Sequence, residues 1–127
     1  MKRILIVDDE ELFRSMLREF LEGNGYECEE AKDGIQALQS LSVLKVDLVI
    51  TDLVMPNMDG ESLIHSMSEN DGWNSIPVIC VSGDLSLSVK KFKKPVSVLE
   101  KPINSGRLLA VLKKLLVPEE STNEPGR

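Results

Sequence analysis

The 127-residue chain is poor in aromatic residues: it contains one tryptophan, one tyrosine and three phenylalanines. Basic side chains are also in the minority, 15 against 21 acidic ones, which gives a net charge of -6. Nucleic-acid surfaces combine basic patches with stacking aromatics, and both are scarce here. We therefore expect no nucleic-acid binding by this chain alone.

Long hydrophobic runs are absent as well. The aliphatic runs, such as Ile4 to Val7, are too short to span a bilayer, and no signal-peptide core follows Met1. The only cysteines, Cys28 and Cys80, lie in apolar, strand-like stretches. We interpret them as buried hydrophobic residues in a reducing compartment, with a redox or metal role as a second alternative. These features predict a cytoplasmic protein.

Several catalytic signatures are also missing. Neither a Walker-type Gly-Lys-Ser/Thr loop nor a Gly-x-Gly-x-x-Gly turn follows the first apolar run, which excludes the common nucleotide-binding motifs. The single histidine, His65, falls on a predicted helix without partners for a hydrolase triad or a phosphohistidine site. We expect His65 to have a structural or solvated role.

Short β-branched runs alternate five times with longer stretches that carry apolar residues at helical spacing, which predicts βα units on one parallel sheet. The chain is long enough for one self-sufficient domain, here residues 1–117. Residues 118–127, with no apolar anchor, are predicted to form a disordered acidic tail. The predicted strands are Arg3–Val7, Glu27–Ala31, Asp47–Thr51, Pro77–Ser82 and Ser97–Glu100.

The composition of the strands predicts their order in the sheet. The first, third and fourth strands are apolar through their centres, as strands covered on both faces must be. The second strand carries three glutamates and the fifth is short and mixed, so both are typical of edges. We therefore predict a flavodoxin-like, doubly wound (βα)5 fold of class α/β with strand order 2-1-3-4-5.

Two helices are marked most clearly by their apolar stripes. The last helix is predicted from about Ser105 to Val117, followed by Pro118 as a breaker. Glycines 23 and 25 are predicted to end the first helix. The apolar stripe predicted to face the core in the first helix comprises Leu12, Phe13, Met16, Leu17, Phe20 and Leu21.

Polar residues follow four of the predicted strands at the edge where ligands bind in such sheets. They are Asp8 and Asp9, Asp52, Ser82, and Lys101. Three carboxylates held together repel one another unless a cation intervenes, and oxygen ligands select a hard ion such as Mg²⁺. Asp52 can act as a nucleophile, with Lys101 and Ser82 contacting a phosphoryl group. This pattern indicates a switch that accepts a phosphoryl group.

These segments closely resemble the receiver domain of bacterial two-component response regulators, over nearly all of residues 1–117. The motifs that carry the resemblance are Ile6-Val7-Asp8-Asp9-Glu10, Thr51-Asp52, Met55-Pro56-Asn57-Met58-Asp59-Gly60, Val81-Ser82-Gly83 and Glu100-Lys101-Pro102-Ile103. Their combination in this order is highly specific. The chain looks like a chemotaxis-receiver-like single-domain protein.

The resemblance implies a role for each site residue. Asp52 is the phosphoacceptor, Ser82 the switch hydroxyl and Lys101 the phosphate partner. Asp8, Asp9, Asp52 and the backbone carbonyl of Val54 are the implied Mg²⁺ ligands. The implied donor is a phosphohistidine on a sensor kinase or phosphotransfer protein, and the signal passes by protein contact or phosphorelay. We expect a self-modifying switch rather than a turnover enzyme.

The sequence also departs from the family pattern between Ser82 and Lys101. These residues are 19 positions apart, shorter than usual by roughly one helical turn. Val98 occupies the position where the family often carries an aromatic switch residue. The lysine cluster within Lys90–Lys94 is interpreted as a solvated face or a docking patch for an acidic partner. Asp84 is equally consistent with a place at the rim of the site and with a helix cap.

Two alternative functions follow from these departures and from the site itself. One is a pseudo-receiver, an interaction module that signals without phosphate. The other is a magnesium-dependent phosphohydrolase that forms a covalent intermediate on Asp52. The short chain offers no cap or substrate pocket, which counts against this alternative.

Asp59-Gly60 and Asp71-Gly72 are interpreted as turn and capping sequences rather than metal ligands.

Overall fold

The computed structural model describes residues 1–83, 92, 94 and 96–116. Strands and helices alternate along the first part of the chain, as the pattern predicts. The elements are β1 (Arg3–Val7), α1 (Glu11–Gly23), β2 (Glu27–Ala31), α2 (Gly34–Val43), β3 (Leu48–Asp52), α3 (Gly60–Ser68), β4 (Val78–Ser82), β5 (Val96–Glu100) and α4 (Ser105–Leu115). None of the helices in these ranges is long and apolar enough to cross a membrane.

The five strands form one parallel sheet in the order β2-β1-β3-β4-β5, which confirms the predicted fold class and strand order. Alternate residues of the central strands enter two separate cores. Leu5 and Val49 pack on one face, and Ile6 and Ile50 on the other, all of them buried. The central strands are apolar throughout because both of their faces are covered.

Four strand boundaries differ from the prediction by a single residue. β3 begins at Leu48 and extends to Asp52, β4 begins at Val78, and β5 begins at Val96. Pro77 has no N–H to donate to a ladder, although its carbonyl still accepts from Val49 N at 3.0 Å. The extension of β3 places Asp52 inside the sheet, so that its backbone is fixed by pairing with Val81.

The apolar stripe predicted for α1 is too wide. Leu17 and Leu21 are buried, whereas Leu12 and Met16 are 73% and 61% exposed. Successive helix residues are about 100° apart, so Leu12 and Met16 lie to one side of the line through Leu17 and Leu21. The sheet and α4 cover only that line, and the two flanking side chains remain in solvent.

Other predictions on the fold have mixed outcomes. Cys28 and Cys80 are both buried free thiols, as predicted. Burial raises the pKa of Cys28 to about 11 and that of Cys80 to about 12. The last helix begins at Ser105 as predicted, but it ends at Leu115, two residues before the predicted end at Val117. The helix predicted between β4 and β5 and the acidic tail lie outside the described residues.

Gly60 sets the distance between α3 and the end of β3. A Cβ added at this position would lie 2.2 Å from the carbonyl oxygen of Asp52 and 2.9 Å from Leu53 Cα, far inside normal contact. Gly60 N also donates to the Leu53 carbonyl at 3.0 Å. The absence of a side chain therefore allows α3 to begin directly against the strand end that carries Asp52.

We expect Gly60→Ala to lower the free energy of unfolding by about 1–3 kcal/mol, because backbone atoms must move to admit the methyl group. Gly23→Ala is the control: a Cβ there meets nothing within 4 Å, and alanine favours a helix by up to about 1 kcal/mol. Urea unfolding of both variants makes the measurement. Equal stability of Gly60→Ala and wild type would contradict the required close approach.

Candidate metal and phosphoacceptor site

The sheet brings the five predicted site residues to one edge. Asp8 and Asp9 follow β1, Asp52 ends β3, Ser82 ends β4, and Lys101 follows β5. The strands are parallel and paired in register, so their carboxyl ends meet at the same place. The structure therefore brings these residues to one edge of the sheet, as the predicted strand ends implied.

Lys101 lies between two of the carboxylates. Its Nζ is 3.1 Å from Asp8 Oδ2 and 3.2 Å from Asp52 Oδ2. Glu10 Oε1 is more distant, at 4.0 Å. The Asp8 side chain is 1% exposed and that of Asp52 is 14% exposed, so the two ion pairs are largely shielded from solvent. Lys101 thus holds together two acids that would otherwise repel each other.

The protonation equilibria reflect this crowding. Burial is the main reason that the pKa of Asp8 is raised, and it outweighs the Glu10 N–H and the Lys101 ammonium, which favour the ionised form. Burial alone would lower the pKa of Lys101, but the hydrogen bond to Asp8 and the charge of Asp52 raise it overall. Lys101 is therefore positively charged at neutral pH. It lies beside Asp8, whose ionised form is destabilised by burial.

The three aspartates are suited to a divalent cation. One carboxylate oxygen from each of Asp8, Asp9 and Asp52 lies within 4.8 Å of the others. Hard cations bind oxygen ligands at roughly 2.0–2.6 Å, so this spacing matches the width of a single coordination sphere. Asp9 is exposed and Asp52 half-buried, which leaves solvent access on one side. The donor set and spacing fit Mg²⁺.

Asp8 is held from two sides. Glu10 N donates to its Oδ1 at 2.9 Å, and Arg14 Nη1 donates to its backbone carbonyl at 2.7 Å. The same guanidinium group forms an ion pair with Glu30 of β2, Nε to Oε1, at 3.0 Å. Nothing in the spacing of Arg14 along the sequence indicated that it bonds to the site.

Asp52 and its neighbours are also fixed by hydrogen bonds. Thr51 Oγ1 donates to the Asp52 carbonyl at 2.8 Å, and Val54 N donates to Asp52 Oδ1 at 3.3 Å. The Val54 side chain is exposed and its backbone borders the carboxylate. Ser82 is buried, and its carbonyl accepts from Lys101 N at 2.9 Å.

Phe13 is a contact that the sequence did not reveal. The Lys101 ammonium lies 4.5 Å from the centroid of its ring, within the range of a cation–π interaction. Both residues border an apolar groove of about 580 Å³ between α1 and α4, which also contacts Met16 and Ile103. An exposed apolar surface of this kind, beside the charged site, is typical of a protein-binding face.

The other singled-out residues lie apart from the site. His65 is exposed on α3, 3.6 Å from Glu69, which agrees with a solvated role. Asp59 caps α3 by accepting from Ser62 N at 2.8 Å, which confirms the capping interpretation. Val98 packs against the core, and Lys94 is buried and donates to the Ile76 carbonyl. Asp84 and the lysines at 90, 91 and 93 lie outside the described residues.

Comparisons with known proteins agree with this geometry. The family model of the response regulator receiver domain matches residues 4–113. The sensor histidine kinase TmoS of Ectopseudomonas mendocina is 35% identical over 90% of this chain, and the response regulator MprA of Mycobacterium sp. (strain KMS) is 31% identical over 97% of it. The chain spans 12% and 55% of the length of these two relatives.

Solved structures show the same similarity. The signal receiver domain of a histidine kinase from Syntrophus aciditrophicus has 30% identity and a TM-score of 0.84, with 91% of this chain and 90% of that one covered. The chemotaxis protein CheY4 of Vibrio cholerae has 29% identity and a TM-score of 0.82, with 91% and 99% covered. The chain belongs to the family of response regulator receiver domains. Relatives of this family occur in both sensor kinases and response regulators.

Replacement of the buried acid provides a test of the site's charge balance. In metal-free buffer we expect Asp8→Asn to raise the free energy of unfolding at pH 7.5, because the neutral amide removes a costly buried charge. Because the pKa of Asp8 is raised in the folded protein, wild type loses stability as the pH rises through that pKa. The difference in the free energy of unfolding between Asp8→Asn and wild type should therefore shrink as the pH falls towards 4.5.

Magnesium should reverse this order. A ligand present at 100 times its Kd stabilises the protein that binds it by about 2.7 kcal/mol, and Asp8→Asn lacks one carboxylate ligand. Urea unfolding at both pH values, with and without Mg²⁺, makes the measurement. An equal Mg²⁺ effect on wild type and Asp8→Asn would show that Asp8 is not a ligand.

Proposed function

We propose that this protein is a phosphoacceptor signalling switch, in which Asp52 takes a phosphoryl group in a Mg²⁺-dependent step. The observation that carries the proposal is the position of Lys101, 3.1 and 3.2 Å from Asp8 and Asp52, beside three clustered carboxylates. A cation-binding group of acids, a nucleophilic carboxylate and a phosphate-binding amine are the parts that phosphoryl transfer requires.

The transfer step follows from these positions. A carboxylate oxygen of Asp52 attacks the phosphorus of a phosphohistidine, a P–O bond forms as the P–N bond breaks, and the imidazole leaves and takes up a proton. Asp8, Asp9, Asp52 and the Val54 carbonyl are the groups that would hold Mg²⁺. The bound ion would supply positive charge beside the transferring phosphoryl oxygens.

Phosphorylation then changes the contacts of Lys101. The ammonium that bridges Asp8 and Asp52 gains phosphoryl oxygens as partners, and the Ser82 hydroxyl donates a hydrogen bond to one of them. Because Ser82 ends β4, its movement towards Asp52 alters the backbone at that end of the sheet. A local change of charge is thereby converted into a change of surface.

The proposed partners are a sensor kinase or phosphotransfer protein as donor and a protein target as receiver of the signal. The apolar groove beside Lys101 supports a protein partner near the site. We place the exchange in the cytoplasm, since buried free thiols favour a reducing compartment. The protein modifies itself and slowly reverses the modification, and in this proposal it does not turn over small substrates.

The phosphate-independent alternative has no support among the described residues. A pseudo-receiver would be expected to lack part of the acidic cluster or the lysine. All three aspartates are present and clustered, and Lys101 contacts two of them. Two departures motivated that alternative. Val98 packs against the core, and much of the shortened segment before Lys101 lies outside the described residues.

Incubation with Mg²⁺ and acetyl phosphate tests the proposal directly. We expect wild type to gain the mass of one phosphoryl group and Asp52→Asn to gain none, because the amide is not a nucleophile. Asp71→Asn, which removes an exposed carboxylate in a distant turn, is the matched control and should behave as wild type. Intact-mass spectrometry makes the measurement. No gain by wild type, or a gain by Asp52→Asn, would contradict the assignment.

Lys101→Ala separates modification from signalling. We expect slower phosphorylation of Asp52 and loss of the conformational response, because the methyl group cannot follow the phosphoryl oxygens. Lys113→Ala, an exposed lysine on α4, controls for the change in net charge. Amide chemical shifts of β4 before and after phosphorylation report the response. A wild-type shift pattern in phosphorylated Lys101→Ala would refute the role of the amine.

A further inference from the structure

The loop between β3 and α3, residues 53–59, is tied to the start of α2 by a side-chain hydrogen bond. Asn57 Nδ2 donates to Asp33 Oδ2 at 2.9 Å. Asp33 is 4% exposed and caps α2 by accepting from Gln36 N through its other oxygen, at 2.8 Å. Both donors lower the pKa of Asp33 and keep it ionised. The loop is thus anchored to a buried charge on a rigid element.

A backbone contact runs beside this side-chain bond. Gly34 N donates to the Met58 carbonyl at 3.0 Å, and a Cβ on Gly34 would lie 2.5 Å from Met58 Cγ. Asn57 itself has a φ of 68°, a left-handed conformation that asparagine and glycine adopt more readily than other residues. The loop therefore has one specific conformation where it crosses the start of α2.

The same loop leads directly to the phosphoacceptor. Val54 N donates to Asp52 Oδ1 at 3.3 Å, and the Val54 carbonyl is the backbone ligand assigned to Mg²⁺. The two ends of the loop are also bonded to each other, because Gly60 N donates to the Leu53 carbonyl. Val54 lies three residues before Asn57 in the same short loop, so the conformation of the loop at Asn57 bears on where the Val54 backbone stands beside Asp52.

We propose that Asn57 and Asp33 are positioning residues for cation binding: their hydrogen bond holds the loop in the conformation that presents the Val54 backbone to Asp52 and to Mg²⁺. Neither residue belongs to the acidic cluster. This inference rests on the proposed function, because it concerns the cation site of that switch. Its test measures only the affinity for Mg²⁺.

Exchange of donor and acceptor tests the bond. Asn57→Asp places two carboxylates against each other, whereas the double variant Asp33→Asn/Asn57→Asp restores a hydrogen bond with donor and acceptor exchanged. In the double variant the amide introduced at position 33 still offers its oxygen to Gln36 N. Asn57→Gly keeps the left-handed backbone and removes only the amide. The double variant has the net charge of wild type.

The measurement is the Mg²⁺ dissociation constant, by isothermal titration calorimetry without a phosphodonor. We expect Asn57→Asp to weaken affinity about tenfold and Asn57→Gly about threefold, with the double variant within about twofold of wild type. Electrostatics alone predicts the opposite sign for Asn57→Asp, because an added negative charge near the site attracts the cation. Asn74→Asp, exposed and remote from the site, controls for net charge.

The outcomes separate a positioning role from a structural one. Urea unfolding in metal-free buffer identifies any variant that loses only stability, and Asn57→Gly remains informative if Asn57→Asp fails to fold. Wild-type Mg²⁺ affinity in Asn57→Gly, tighter binding by Asn57→Asp, or no recovery in the double variant would overturn the proposal, as would a wild type that binds no Mg²⁺. A wild type that binds Mg²⁺ but accepts no phosphoryl group would contradict the proposed function and leave the positioning role standing.

Discussion

Three aspartates of the site repel one another, and a single lysine offsets only part of that repulsion. Parallel strands bring Asp8, Asp9 and Asp52 within a single coordination sphere, and Lys101 neutralises only part of their charge. Such a cluster persists because the sheet, with apolar faces on both sides, contributes far more stability than the site loses. The remaining negative charge favours a divalent cation at this site, as the proposed function requires.

Much of the fold and of the site could be predicted from the sequence because both depend on short-range patterns. Continuous apolar runs mark the central strands, and the glutamates of β2 mark an edge, so composition alone yields the strand order. The site then follows from geometry, since residues at the ends of parallel strands must meet. The resemblance to receiver domains implied the roles of Asp52, Ser82 and Lys101. The predicted sheet implied their positions.

The remaining features depend on contacts between segments that no local pattern connects. The Lys101–Phe13 and Asp33–Asn57 contacts join residues far apart in the chain, and each requires a specific rotamer. The exposure of Leu12 and Met16 depends on how much of α1 its neighbours cover, which helical periodicity does not define. One-residue differences in strand limits have a similar origin, since pairing across the sheet decides where each ladder stops.

Arg14 and Arg18 connect α1 to the end of β1 and to β2. Arg14 bonds the Asp8 carbonyl and Glu30, and Arg18 Nη1 bonds the second Glu30 oxygen at 2.9 Å. These bonds cross-link a helix, a site residue and an edge strand, and none of them uses a carboxylate of the acidic cluster. In the proposed function, the contacts that change on phosphorylation are those of Lys101 and Ser82, which lie at the ends of β5 and β4.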